Sequence, residues 1–387
     1  MKTLLAAIVI VALLVPIGAG IEAAEAQTLI VTIKPDGSLD PLSNVLQREG
    51  NVYTATADLN FSISVQKSNI ILDGANHALR GPGSSQNFVA ITLMASNVTI
   101  TDFSISGWRA GVYGAFNSNN ITNNVFVDNY QGIAVYASDC ILSKNSISGS
   151  NVGVLIDSGA FQSQGDNNLI IQNQLASNNA AFDILNSNGT TITKNNVTDN
   201  AVILTLGTLK ANPNLAGLHT FYLNNFVNNK QPLHVPFGGP FVSSVVPLSP
   251  AGNWDNGTVG NYWSDYSSKY PNASEIGHLR VGDTPYLIEE TTTWSRDYAN
   301  GTHLEGTAVL GVASDRYPLL DPVLIQEPIP TPTPTPSPQP TPTTEPFPTT
   351  LLIGSIIAVV TVVGVGLLVY LKKRQKTKRP REHEDFI

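Results

Sequence analysis

Between Ile100 and Val235 the apolar residues return at a fixed interval. Counting from Ile100, Ile121, Leu142, Ile170, Ile192 and Phe221, the fifth residue on is Ile105, Phe126, Ile147, Leu175, Val197 or Phe226. The twelfth is Val112, Ile133, Val154, Phe182, Leu204 or Leu233, so all eighteen positions are apolar. Fourteen on stand Gly114, Val135, Ile156, Ile184, Leu206 and Val235, and this alternation with a period of two marks a strand. Asparagine keeps the same register, three on at Asn124, Asn145, Asn173, Asn195 and Asn224, and eight on at Asn129, Asn178, Asn200 and Asn229. Phe103 and Trp108 take those places in the first copy, Ser150 takes the second in the third copy, and glycine stands eleven on at Gly111, Gly132 and Gly153.

Three strands of three to five residues per copy cannot bury a core alone, but stacked coil on coil they can. Each strand then pairs in parallel with its equivalent about 4.8 Å away. The pattern predicts an all-β, right-handed parallel β-helix, with asparagines at the corners, where they tolerate tight turns and bond to the same residue one coil away. Copies begin 21, 21, 28, 22 and 29 residues apart, and the extra residues, around Gly159 to Gly165 and Gly207 to Gly217, both follow the fourteen-on strand. They are expected on one edge, as the wall of a groove. Residues 28–56 read as a cap over the first coil, and the solenoid as a whole as 27–236, closed by an extension over 237–322.

The chain ends change the picture from a solenoid to a surface protein. Lys2, the apolar run from Leu4 to Ile17, and the small-residue site at Ala24, Glu25 and Ala26 read as a signal peptide over 1–26. A stalk over 323–350 alternates Pro with Thr or Ser, a polyproline spacer of roughly 60 Å. The 21 uncharged residues from Leu351 to Leu371 fit one membrane crossing, and Lys372, Lys373, Arg374, Lys376, Lys378, Arg379 and Arg381 in the tail 372–387 mark the cytoplasmic side. The expected topology is a single pass with the ectodomain outside, partnered by the bilayer. Residues 27–350 hold 13 Lys+Arg against 24 Asp+Glu, an acidic balance that argues against nucleic acid. Cys140 is the one cysteine and reads as a small buried hydrophobe.

Candidate chemistry lies on outward positions. Sugar hydrolysis needs two carboxyl groups on one groove, and Asp157 and Asp183 from consecutive coils are the candidates, with Arg109 the basic residue placed to help. The alternative is that these are solvated strand positions. Sugar binding needs aromatic faces, and Trp108, Tyr113, Tyr130 and Tyr136, spread over two coils, form a candidate platform. Trp254, Asp255 and the run from Tyr262 to Tyr266 read as apolar cover for the last coil rather than as a ligand site. Eight sequons, at Asn60, Asn97, Asn120, Asn188, Asn196, Asn256, Asn272 and Asn300, are candidate glycosylation sites. No cofactor or metal is expected, because the histidines (His77, His219, His234, His278, His303 and His383) form no pair at i,i+2 or i,i+4.

The stretches SNIILDGANHALRGPG, the repeated ITxNxVxxN copies, GNWDNGTVGNYWSDY, GDTPYLI and DRYPLL resemble the NosD-like parallel β-helix proteins, particularly archaeal surface members, over about residues 50 to 322. The resemblance implies the β-helix fold and a place in a wider set that binds or processes carbohydrate; its founding type is an accessory to copper-site assembly. Related members often carry an acidic loop suited to Ca²⁺ between the NYWSDY and GDTPY motifs, where this chain has SSKYPNASEIGHLRV. The expected role is glycan binding, adhesion or envelope structure at the cell surface. The competing class is a carbohydrate-active enzyme, a hydrolase, lyase or epimerase.

Overall fold

The computed structural model describes residues 29–157, 166–185, 187–207, 219–234, 252–297 and 303–325. The expected signal peptide, most of the expected Pro/Thr stalk, the apolar segment Leu351 to Leu371, the basic tail, Val235, Asn300 and the extra residues of the two long copies lie outside them. Among the described residues no helix is long and apolar enough to cross a membrane.

Strands stack into three sheets, as the repeat predicts. Val98–Thr101, Asn120–Thr122, Ile141–Ser143, Leu169–Ile171, Thr191–Thr193 and Thr220–Tyr222 lie in a nine-stranded sheet. Ser104–Ser106, Val125–Val127, Ser146–Ser148, Gln174–Ala176, Asn196–Thr198 and Asn225–Val227 lie in an eight-stranded one. Ala110–Gly114, Gln131–Val135, Val152–Asp157, Ala180–Leu185, Val202–Gly207 and Gln231–His234 form the middle of a twelve-stranded sheet. Equivalent residues pair in parallel: Ile121 with Leu142, Phe126 with Ile147, Ile133 with Val154. Their side chains fill one continuous buried core. This is a parallel β-helix.

The corners work differently from the expectation. The residue with left-handed φ is the one before each ladder position, Phe103 in the first copy and asparagine in the rest: Asp102, Asn123, Lys144, Gln172, Lys194 and Leu223, at φ 54 to 59°. Such a backbone costs about 1–2 kcal/mol per non-glycine residue, so something must hold it. The asparagine that follows does, by hydrogen bonding rather than by tolerating the turn. Asn173 Oδ1 accepts from Asn145 N at 2.9 Å and Asn145 Nδ2 at 3.0 Å, while Asn173 Nδ2 donates to Leu142 O at 2.8 Å and Asn195 Oδ1 at 3.0 Å. Each amide therefore ties three coils together and pairs the peptide N–H that the turn leaves out of the sheets.

A third corner has its own acceptors, which the repeat count did not single out. Asn119 Oδ1 accepts from Val98 N at 2.8 Å, Asn168 Oδ1 from Cys140 N at 2.9 Å, and His219 Nδ1 from Thr190 N at 3.3 Å. His219 can accept there only when neutral, and burial pushes its imidazole down to about 4.

Both ends of the stack are covered. The antiparallel pair Leu46–Glu49 and Val52–Ala55 extends the nine-stranded sheet past Ile70–Asp73. At the other end Trp254 stacks on Phe221 at 4.4 Å, Trp263 lies 4.6 Å from Phe226, and Tyr286 stacks on Trp263 at 4.1 Å, so these aromatics do cover the last coil. Asn261 adds a last rung to the first ladder, accepting from Asn224 N at 3.1 Å and Nδ2 at 2.9 Å. Asp315, fully buried, accepts in turn from Asn261 N at 2.7 Å and Trp263 Nε1 at 2.9 Å.

Replacing Asn173 with Ala leaves the Asn145 N–H without its acceptor inside the stack and breaks the amide ladder between Asn145 and Asn195. At about 1–3 kcal/mol for an orphaned buried group, urea unfolding is expected to show a loss of about 1–3 kcal/mol. Asn151→Ala, at a partly exposed corner whose side chain accepts only a 3.3 Å bond from Asn179, should change little.

Candidate functional site

The outer face of the twelve-stranded sheet carries the candidate residues. Strand alternation sends Val154 and Ile156 inward, both fully buried, and Leu155 and Asp157 outward. Register then builds two outer columns. In one, Thr92, Tyr113, Ala134, Leu155, Asp183, Thr205 and His234 succeed one another coil by coil. In the other, Asp157 is paired with Leu185.

This face is not the solvated surface that one reading expected. Ala134, Val152 and Leu155 are buried on it, and Tyr113, Tyr136 and Leu185 pack against them as a second apolar cluster outside the core. The two tyrosine rings lie 5.0 Å apart at a 34° tilt. Asp157 is 7% exposed, and Asp183 Oδ1 is buried with no hydrogen-bond partner. Burial first, and the Asp157 carboxylate second, push the Asp183 carboxyl up to about 6. Burial and the nearby Asp157 likewise raise the phenols of Tyr113 and Tyr136, which places both tyrosines within electrostatic reach of Asp157 and Tyr136 within reach of Asp183 as well.

The other candidates go elsewhere. Trp108 is not on the surface: it is fully buried, and its indole Nε1 donates to Leu79 O at 3.0 Å. It occupies the ladder position of Asn129, whose Nδ2 donates to Ile105 O at 3.0 Å, and does the same work with a larger group. That shared register was the signal for its true place. Arg109 and Tyr130 pair with each other, the guanidinium 3.7 Å from the ring centroid, at the start of the strands rather than beside Tyr113. Such a contact contributes about 0.5–1 kcal/mol at an exposed site and commits the Arg109 side chain.

The metal donors are scattered. Cys140 is buried, its thiol pushed up to about 11 by that burial. Met94 is exposed, His77 lies 3.6 Å from Asp58, and His219 is held inside the third corner. Among the described residues no three His, Cys, Asp or Glu side chains converge.

A family described as periplasmic copper-binding protein (NosD) has a sequence model that matches residues 50–268, more than half of the 387 residues. The chain belongs to the NosD family. No curated protein and no solved structure matches it. The match spans the coils from the Val52–Ala55 strand to the closing motif around Trp263, so family membership and the stacked-strand fold rest on the same residues. The copper of the NosD description does not fit the donors found here: copper sites gather sulfur and imidazole ligands, and this chain disperses them among the described residues.

Asp183 and His219 give opposite pH dependences. The folded Asp183 pKa of about 6 lies above its ordinary 3.8, so its contribution is full below about pH 4 and is lost as pH rises through 6. The folded His219 pKa of about 4 lies below 6.5, so its contribution is full above 6.5 and is lost as pH falls through 4. Asp183→Asn should remove the falling component, so that the stability of the wild type relative to the variant falls as pH rises from about 4 to 7, an effect of order 2 kcal/mol, and carboxyl NMR should show Asp157→Asn lowering the Asp183 pKa without returning it to 3.8.

Proposed function

We propose that this NosD-family β-helix is a membrane-anchored cell-surface protein that binds carbohydrate on the outer face of its twelve-stranded sheet, in an adhesive or envelope-structural role. The observation that carries the reading is the Tyr113–Tyr136 pair, 5.0 Å apart beside a buried Asp183 oxygen that lacks a partner. Tilted tyrosines offer faces to the apolar side of a sugar ring. A carboxylate oxygen with an unused lone pair accepts a hydroxyl proton, and the charge-assisted bond is roughly twice as strong as a neutral one. The single-pass anchor and the stalk supply the reason for the outward setting: a rigid spacer presents the solenoid away from the bilayer. Tyr130, engaged with Arg109, extends the face as a secondary contact.

The same carboxyl pair supports a second reading, a polysaccharide hydrolase. Asp157 and Asp183 sit on neighbouring strands two residues out of step, their Cα atoms about 8 Å apart from strand geometry. Inverting glycosidases hold their two carboxyl groups roughly 6.5–9.5 Å apart, a separation that this backbone spacing allows. Asp183, held protonated toward neutral pH, suits the acid, and Asp157 the base.

Glycan-array binding by the folded protein decides between them. Tyr113→Ala with Tyr136→Ala should reduce retained signal at least tenfold, and binding to the wild type should strengthen from pH 5 to 7 as Asp183 ionises. Unchanged binding in the folded double variant would sink the platform. Release of reducing ends from a bound polysaccharide, abolished by Asp183→Asn, would replace the binding reading by the hydrolase.

A further inference from the structure

The seven described sequons fall into two structural kinds. In the solenoid the repeat sets Asn-x-Thr into paired strands or their corners, so the middle or last residue points into the core. Val98, Ile121 and Val197 are buried to 1% exposure or less in the sequons of Asn97, Asn120 and Asn196. In the sequon of Asn60 both Phe61 and Ser62 are buried, and in that of Asn188 the Thr190 hydroxyl is fully enclosed. One of the acceptor nitrogens is also committed: Asn97 Nδ2 donates to Asn69 Oδ1 at 2.7 Å.

The closing segment differs. Asn256, Gly257 and Thr258 are all exposed, and a Cβ on Gly257 would meet nothing within 4 Å. Asn256 Oδ1 accepts three bonds, from Thr258 N at 3.0 Å, Thr258 Oγ1 at 2.9 Å and Val259 N at 3.0 Å. The sequon is thus already folded back on itself, hydroxyl to amide, and Nδ2 points away without a partner among the described residues. Three donors on the amide oxygen draw density from the nitrogen and weaken its N–H bonds. Asn272 and Ser274 are likewise exposed, on an irregular turn.

We infer that, among the seven described sequons, Asn256 and Asn272 are the N-glycosylation sites of the folded chain and that Asn60, Asn97, Asn120, Asn188 and Asn196 are not acceptors. The donor class is a polyprenyl-pyrophosphate-linked oligosaccharide. The new bond joins asparagine Nδ2 to the anomeric carbon, the bond from that carbon to the pyrophosphate oxygen breaks, the lipid pyrophosphate leaves with the electron pair, and Nδ2 gives up one proton. A transferase must hold the sequon in a bent loop with asparagine and hydroxyl both inside its own site. A strand paired on both sides cannot enter without breaking the stack. The glycans therefore gather on the closing segment, and the outer face of the solenoid stays bare.

The test uses the full chain, folded and purified from a host without N-glycosylation, with a single-subunit oligosaccharyltransferase that accepts the plain Asn-x-Ser/Thr sequon. Synthetic peptides spanning the seven described sequons are modified in parallel, and site-resolved mass spectrometry gives the ratio of folded-chain to peptide occupancy at each. The ratio is expected to be at least tenfold higher at Asn256 and Asn272 than at the other five. Thr258→Ala should remove the glycan at Asn256 alone, and Thr258→Ser should keep it. Equal ratios at all seven sites, or a bare Asn256 in a folded chain modified at Asn120 or Asn196, would overturn the assignment.

Discussion

The structure depends on pairing the peptide groups that a coil leaves behind when it turns a corner. Each turn passes through a left-handed residue and points N–H and C=O groups into a dry interior, where an unmet group costs about 1–3 kcal/mol. The asparagine amide answers this with one donor group and one acceptor in the plane of the stack, and because its own partner is the next amide, the ladder runs from Asn124 through Asn224 to Asn261. Its end is closed by a carboxylate, Asp315, not by another amide. Stability is therefore passed from coil to coil, as a solenoid without disulfides requires.

Fixing the corners also fixes where variation can go. Gly132 has no room for a Cβ, which would sit 2.6 Å from the Gly153 carbonyl, so the close approach of coils at that column is part of the same constraint. In the nine- and eight-stranded sheets, strands such as Asn120–Thr122, Ser146–Ser148 and Asn196–Thr198 alternate an inward apolar residue with Ser, Thr or Asn outward, while Val125, Val127, Leu169 and Ile171 are half-buried outward positions. The twelve-stranded sheet departs from this pattern between Tyr113 and Leu185. Its strands are longer, and the last of each long copy ends where the extra residues begin.

The fold was legible because a 21-residue period leaves few architectures open, and the strands, the core columns and the ladders all follow from it. What was not legible depends on atoms rather than on period. Which corner residue turns left-handed is decided by geometry one position before the conspicuous asparagine, and the residues there, from Asp102 to Leu223, share no chemistry that would announce it. Trp108 was misplaced because its residue type suggests a ligand face, while its register, the same as that of Asn129, placed it in the core. The candidate site was half legible. Alternation put Asp157, Asp183, Tyr113 and Tyr136 outside, but nothing in the sequence alone says that an outward position is covered.

That coverage is what separates a site from a surface. An outward carboxyl in water needs no partner, and Thr92 and Thr205 in the same column show what a plain solvent-facing position of this sheet holds. Asp183 is instead set among apolar neighbours with one oxygen unpaired, at a cost that raises its pKa to about 6. The stack gains nothing from this, since the ladder and the core are complete without it. A group kept in an environment that opposes its charge, beside a second carboxyl and two tyrosines, marks a stretch of the described outer face where the repeat departs from the plain solvent-facing strand.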